Sequence, residues 1–388
     1  MAAFAFFAAG ADAKTFKPTR FDDPKPDACK ADDCSLREAV KAAKDKGKVK
    51  LSKGTYKLKR KKELKLKAGA DIKGKGVSKT TIDGLDSTRI LRIRGEGETS
   101  IDGVRLTRGF ANVKFDGSGG AMLIEGGDVT ISDAAITDSE AEFRGGGFES
   151  QGANVALDRV EVSGNVAGTL GGGALLENHP DAGTQSDVTI FNSTFEGNSA
   201  AAHGAVMVYG ANAIGGQVAM IAQNSTFAEN QATAQSGGVG VFGDLAEGYL
   251  EHVSVGFNVS DSDGTGDGNA GGIYEGVSGA FNVQNSIVVG NTAEGLPDEC
   301  GTGTYTGINN VFGAGVACSI PPQNQITAVP VADPPADNGG PTRTMALLPG
   351  SPALGYADAG LCPDRDQRGE LRPDDCDSGA FELDPPLP

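Results

Sequence analysis

One motif recurs along this chain and restricts what it can fold into. A short apolar strand is followed by a small polar residue, a glycine run and a second apolar strand. The clearest copies read VTISDAAITDSEAEFRGGGFES (129–150), VALDRVEVSGNVAGTLGGGALLEN (155–178), VTIFNSTFEGNSAAAHGAVMVYG (188–210) and VAMIAQNSTFAENQATAQSGGVGVFG (218–243). Aligned on one turn position, successive copies carry Gly109, Ser139, Asn165, Asn198, Asn230, Asn258 and Asn291, spaced by 30, 26, 33, 32, 28 and 33 residues. An imperfect period of this size, built from strands, marks an all-β solenoid of stacked coils in which each coil touches only its neighbours.

The same pattern assigns roles within a coil. Alternate residues such as Val188, Ile190 and Phe195 point inward, and their polar neighbours face water. The glycine runs at 145–147, 171–173, 237–238 and 271–272 each precede a strand, where the chain turns tightly. Asparagine tolerates left-handed backbone, and amides stacked once per coil hydrogen-bond along the stack. Asn165, Asn198, Asn230, Asn258 and Asn291 are therefore expected along one edge, about 4.8 Å apart. Asn192, Asn224 and Asn285 are expected to form a lesser version of that ladder.

Outside the repeat, the two ends differ from the coils. Residues 1–13, MAAFAFFAAGADA, read as a processing segment whose Ala11-Asp12-Ala13 precedes cleavage before Lys14. An N-terminal cap follows over 14–69. Within it residues 28–44 are expected to be helical, with Ser35 and Glu38 as a capping box and Leu36, Ala39, Val40 and Ala43 on one face. Such a helix covers the open cross-section and unpaired backbone of the first coil. The coils run from 70 to 312. Residues 313–388 lose the repeat, and Pro321-Pro322, Pro334-Pro335 and Asn338-Gly339-Gly340-Pro341 mark an irregular cap packed back on the last coils.

Composition narrows the function classes. With 58 glycines but no G-X-Y period the chain is not collagen, and apolar residues in alternating runs exclude disorder. No stretch approaches the apolar length of a membrane span. Six cysteines fall at loops and ends away from the central repeat coils, with no CxxC, as structural disulfides of an oxidising compartment do. Proximity favours Cys29 with Cys34, Cys300 with Cys318 and Cys362 with Cys376. Charge is segregated: residues 14–108 hold 27 Lys+Arg against 14 Asp+Glu, and residues 109–388 hold 7 against 36. A basic end on an acidic rod suits anionic polymer or envelope surfaces, or serves only as a solvated cap. With only Phe16, Phe21 and Tyr56 for aromatics, the basic stretch does not suit nucleic acid.

Both ends carry a family resemblance. Cys34-Ser35-Leu36-Arg37-Glu38-Ala39, followed by GTYKL (54–58) and TTIDG (80–84), resembles the start of bacterial CSLREA-domain proteins. ADNGGPTRTMALLPGSPAL (336–354), DQRGELRP (366–373) and CDSGAFE (376–382) resemble the C-terminal part of choice-of-anchor Q proteins. The repeats between are similar to pectate-lyase-like right-handed parallel β-helices. The resemblance implies a secreted or surface-attached bacterial protein and no particular mechanism. The closing LDPPLP carries no sorting signal, which argues against covalent anchoring through that end.

Chemistry is harder to find than architecture. A Ca²⁺-dependent polysaccharide lyase needs an acidic cluster and an Arg or Lys base on one coil face. Between 129 and 312 the only basic side chains are Arg144 and Arg159. Arg159 is the candidate base beside Asp133 or Asp158, and simple pairing with those carboxylates is the competing role. Paired acids at Asp22-Asp23, Asp32-Asp33 and Asp374-Asp375 lie outside the coils, and His179, His203 and His252 lack metal-ligand spacing. The one insertion with ligand character is Asp261-Ser-Asp263-Gly-Thr-Gly-Asp267-Gly-Asn269. Its carboxylates from Asp261, Asp263 and Asp267 suit weak Ca²⁺ binding, although Gly272 stands where an EF-hand loop has glutamate. The leading expectation is an exported, monomeric, non-catalytic module that binds polysaccharide or cell envelope, adhesin-like, with a polysaccharide lyase as the alternative. Three acids and an Arg or Lys in one groove would favour the lyase.

Overall fold

The computed structural model describes residues 14–44, 46–178, 185–210, 216–266 and 268–383. The processing segment read over 1–13, together with His179 and Asp267, lies outside them. Strands stack in parallel into three sheets, one of 19 strands (sheet A) and two of eight (sheets B and C). One coil illustrates the path: Met122–Glu125 in sheet B, Asp128–Thr137 in sheet A, Glu140–Ala141 in sheet C, then Phe148–Gln151 back in sheet B. Each strand pairs with its equivalent one coil on, as Met122 with Phe148, Phe148 with Ala174 and Ala174 with Val206. This is a parallel β-helix.

The core follows from the period-2 burial of the strands. Val188, Ile190, Phe195, Met220 and Phe227 are wholly buried, and Phe195 stacks on Phe227 at 5.3 Å between centroids. Burying each such side chain stabilises by about 1.5–3 kcal/mol, and stacking repeats that contribution in every coil. Sheet A bends mid-strand at one left-handed residue per coil. Asp133, Arg159, Asn192, Asn224, His252 and Asn285 occupy that bend with φ of 45 to 56°. This corrects the expected second ladder. Asn192, Asn224 and Asn285 supply the bend and direct their amides to Asp158, to the Arg365 carbonyl and to the His252 ring.

The main ladder is continuous and one-directional. Asn165 Nδ2 donates to Asn198 Oδ1 at 2.9 Å, and the same bond runs from Asn198 to Asn230, Asn230 to Asn258 and Asn258 to Asn291. Each Oδ1 also accepts the backbone N–H one coil back, so both atoms of every amide are used. Ser139 begins the row, its Oγ accepting from Gly109 N at 3.0 Å. Glu299 ends it, accepting from Asn291 Nδ2 at 2.7 Å and from the N–H groups of Asn291 and Gly290. All five asparagines are wholly buried, where an unmet polar group is costly.

At the N-terminal end the helix is shorter than expected. It spans Leu36–Ala43, capped by Ser35 and Glu38 as a capping box, while 28–34 is irregular and tied by Cys29–Cys34. Pairing extends beyond 70–312 at both ends, from Thr15–Phe16 on Lys48–Val49 to Gln325–Ile326 on Val311–Phe312. Cys300–Cys318 and Cys362–Cys376 are also bonded. The C-terminal segment lies along the side of sheet A. Gln367 Nε2 reaches Thr194 Oγ1, Thr226 Oγ1 donates to Gln367 Oε1, and Ala380 N donates to Ser254 Oγ. Met345, Leu347 and Phe381 share a buried cluster there with Ala228, Ile287, Val289 and Val311.

Candidate functional site

Sheet B presents two outward rows, because its inward positions are filled by Leu64, Leu91, Met122, Phe148 and their successors. One row reads Lys65, Arg92, Leu123, Glu149, Leu175, Met207, Gly240, Tyr274. The other reads Lys67, Arg94, Glu125, Gln151, Glu177, Tyr209, Phe242. Along the second row, which is exposed or half-buried, the face passes from cations, through carboxylates and an amide, to aromatic rings, whereas Leu123, Glu149, Leu175 and Met207 of the first row are buried.

Its centre is a polar cluster. Arg144 projects from the turn before Phe148–Gln151 and lies 3.3 Å from Glu149 and 3.1 Å from Glu177. Gln151 Nε2 donates to Glu149 Oε1 at 2.6 Å, while Glu149 Oε2 is buried without a partner among the described residues. Burial, with the adjacent Glu149 carboxylate, holds the Glu177 carboxyl up at about 7. Toward the N-terminus, Glu125 bridges Arg92 and Arg94 at 2.6 and 2.5 Å, and the two guanidiniums hold its carboxyl down against burial, at about 2. Toward the C-terminus, Tyr209 and Phe242 stack at 5.9 Å and 10°.

His203 packs onto the outer side of this sheet. It stands in left-handed backbone (φ 60°) where the preceding coils place Gly119, Gly145 and Gly171. Its buried ring occupies the outward space left by Gly240, and a Cβ built there would lie 1.9 Å from Nδ1. Burial pushes the imidazole down to about 4, so it is neutral at physiological pH. Gly240→Ala is expected to destabilise by about 1–3 kcal/mol through overpacking. A His203→Gly background should recover most of that loss, and equilibrium denaturation of the single and double variants measures it.

The residues singled out from sequence are distributed differently. Arg159 is held by Asp133 at 2.8 Å and by Asp158, the pairing set against a role as base, and these carboxylates raise its pKa further. Asp261 Oδ1 accepts from Gly266 N at 2.9 Å and Asp263 Oδ1 from Thr265 N at 3.3 Å. Each of these carboxylates thus gives one oxygen to its own loop, and the third of the set, Asp267, lies outside the described residues, among which no group of three or more acids, His or Cys is arranged to hold a metal. His252 packs against Asn285 at 3.0 Å, away from His203. Asp22 and Asp33 pair with Arg20, and Asp23 pairs with Arg37. Three acids do share a face with arginines on sheet B, the arrangement set as the mark of a lyase. Every one of those guanidiniums is engaged by carboxylate, however, and none is placed as a free base.

No protein-family model matches this chain, and no curated protein matches it significantly. Among solved structures it is similar to the pectate lyase Pel9A, with a TM-score of 0.54 and 13% identity, over 96% of this chain and 98% of that one. It also aligns with the Azotobacter vinelandii mannuronan C-5 epimerase AlgE4 A-module (TM-score 0.34, 12% identity, 76% and 94% covered). A third match is the PL6 family alginate lyase AlyGC (TM-score 0.29, 10% identity, 90% and 58% covered). At 13% identity the likeness to Pel9A speaks to architecture alone. The chain is a right-handed parallel β-helix, the architecture it shares with that pectate lyase.

Proposed function

We propose that this protein is an exported, non-catalytic module that binds a polysaccharide along the outer face of sheet B. The observation that carries this reading is the stacked Tyr209–Phe242 pair in register with Glu177 and Gln151. Aromatic faces take up the apolar faces of sugar rings, and neighbouring carboxylates and amides take hydroxyls. Coil stacking repeats such positions about every 4.8 Å, which suits an extended polymer. The CSLREA-like and choice-of-anchor-Q-like end motifs and the three disulfides support export to a bacterial surface.

A second reading draws on Glu177, whose carboxyl stands near 7 beside Glu149. A proton held at that pH suits a general acid in a carbohydrate-active enzyme. One screen separates the readings. The protein is offered an array of plant and bacterial glycans, and ligands that bind are then incubated and assayed for cleavage products. Binding is expected without product, and Tyr209→Ala or Phe242→Ala should weaken it about tenfold or more. Product formation abolished by Glu177→Gln would establish the enzyme instead. Binding indifferent to both aromatic variants would place the site elsewhere.

A further inference from the structure

We propose that the N-terminal cap carries a separate site for the acid groups of an anionic polysaccharide. The last turn of the helix and the first strand of sheet B line an open cavity of about 380 Å³. Its floor includes the buried side chains of Val40 and Leu64, and Lys41, Lys44, Lys65 and Lys67 stand around it. Each lysine has a local explanation. Cations at a helix C-terminus favour the dipole, and lysines on an edge strand discourage aggregation. Neither explanation requires four ammonium groups around one apolar-floored cavity.

The charge balance inside the cavity is what points to a ligand. Among the described residues, Lys41, Lys44 and Lys67 have no ion-pair partner, and Lys65 lies 3.9 Å from Glu63. Glu63 is itself committed to the buried Arg89 at 2.8 Å. The other cation on the rim, Arg37, is held by Asp23 at 2.7 Å. Unneutralised ammonium groups at this end contrast with the acidic remainder of the rod, so polyanions are steered here and away from the rest. An apolar floor beneath cations fits a sugar ring bearing carboxylate or sulfate. The cavity lining contains no aromatic on which a nucleobase could stack. This site does not depend on the sheet B reading, and its lysines are distinct from Tyr209 and Phe242.

Titration calorimetry at low ionic strength tests the assignment with oligomers of a polyuronate and of dextran sulfate, and with neutral dextran. Duplex DNA and anionic lipid vesicles provide the arms for other polyanions. Either charged glycan should bind with an affinity that falls steeply with added salt, and neutral dextran should not. Lys41→Gln with Lys44→Gln, and Lys65→Gln with Lys67→Gln, should each weaken binding about tenfold or more. The exposed pair Lys50→Gln with Lys57→Gln, on sheet A, should leave it within about twofold. All these side chains are exposed, so the double variants should fold, and circular dichroism checks this. Three results would overturn the proposal: no binding of either charged glycan, equal weakening by the sheet A pair, or DNA or vesicles binding at least as tightly.

Discussion

Asn198→Ala is expected to be the most damaging single truncation in the coils. Asn198 Oδ1 receives both the backbone N–H and Nδ2 of Asn165, and its own Nδ2 donates to the Val162 carbonyl and to Asn230. Alanine leaves several of these buried groups unmet at once. At about 1–3 kcal/mol for each unsatisfied group, with partial relaxation, the loss should be about 3–5 kcal/mol. Asn198→Ser should lose less, because Ser139 already serves as an acceptor in the same row. Urea denaturation of the parent and the two variants measures the order. Equal losses for alanine and serine would mean that packing, not the accepted hydrogen bond, carries the row.

Glu299→Gln is expected to change how stability depends on pH. Burial dominates this carboxyl and raises it from 4.5 to about 7, despite the three N–H groups that favour its ionised form. A carboxyl raised on folding contributes stability that is full below pH 4.5 and is lost as pH rises toward 7. The size is about 3 kcal/mol if the whole shift is expressed. His203 and His252 act oppositely, since burial lowers them to about 4 and about 3 and favours the folded state above the ordinary 6.5. The difference between variant and parent removes the histidine contribution. That difference should become more favourable to the variant between pH 5 and pH 8. A pH-independent difference would mean that Glu299 keeps an ordinary carboxylate pKa in the folded protein.

The ladder and the candidate site were legible to very different degrees, and the reason is physical. The five asparagines announce themselves because one buried amide is needed at one place in every coil. Glu299 does not, since it reaches Asn291 from only 8 residues away, after the chain has left its period. The start of the helix is plain in the Ser35–Glu38 capping box, whereas residues 28–34 ahead of it are held by the Cys29–Cys34 disulfide and not by helical hydrogen bonds. On sheet B, Arg144 and Glu177 are 33 residues apart and meet only through coil stacking. A carboxylate pointing outward from a strand also reads the same in sequence whether it is solvated or, like Glu149, fully enclosed. Gly240 offered a signal of another kind, an interrupted apolar strand, but the His203 ring that fills its place could be found only in three dimensions.

The direction of the asparagine row has a consequence for how such a chain can change in length. Every internal amide receives from the coil before and gives to the coil after, so any two neighbouring Asn coils present identical connectors. As far as this row is concerned, a coil's worth of chain, such as the 28 residues that separate Asn230 from Asn258, can be duplicated or excised and the amides made neighbours meet the same kind of partner, although that coil also carries Gly240 for the His203 ring and Ser254 for the C-terminal segment. The two ends of the row are not interchangeable in this way. Ser139 must begin where no amide precedes it, and Glu299 must supply an acceptor where no amide follows. For the row itself, length is thus a free variable for duplication and deletion, while the residue that terminates the count is fixed by chemistry.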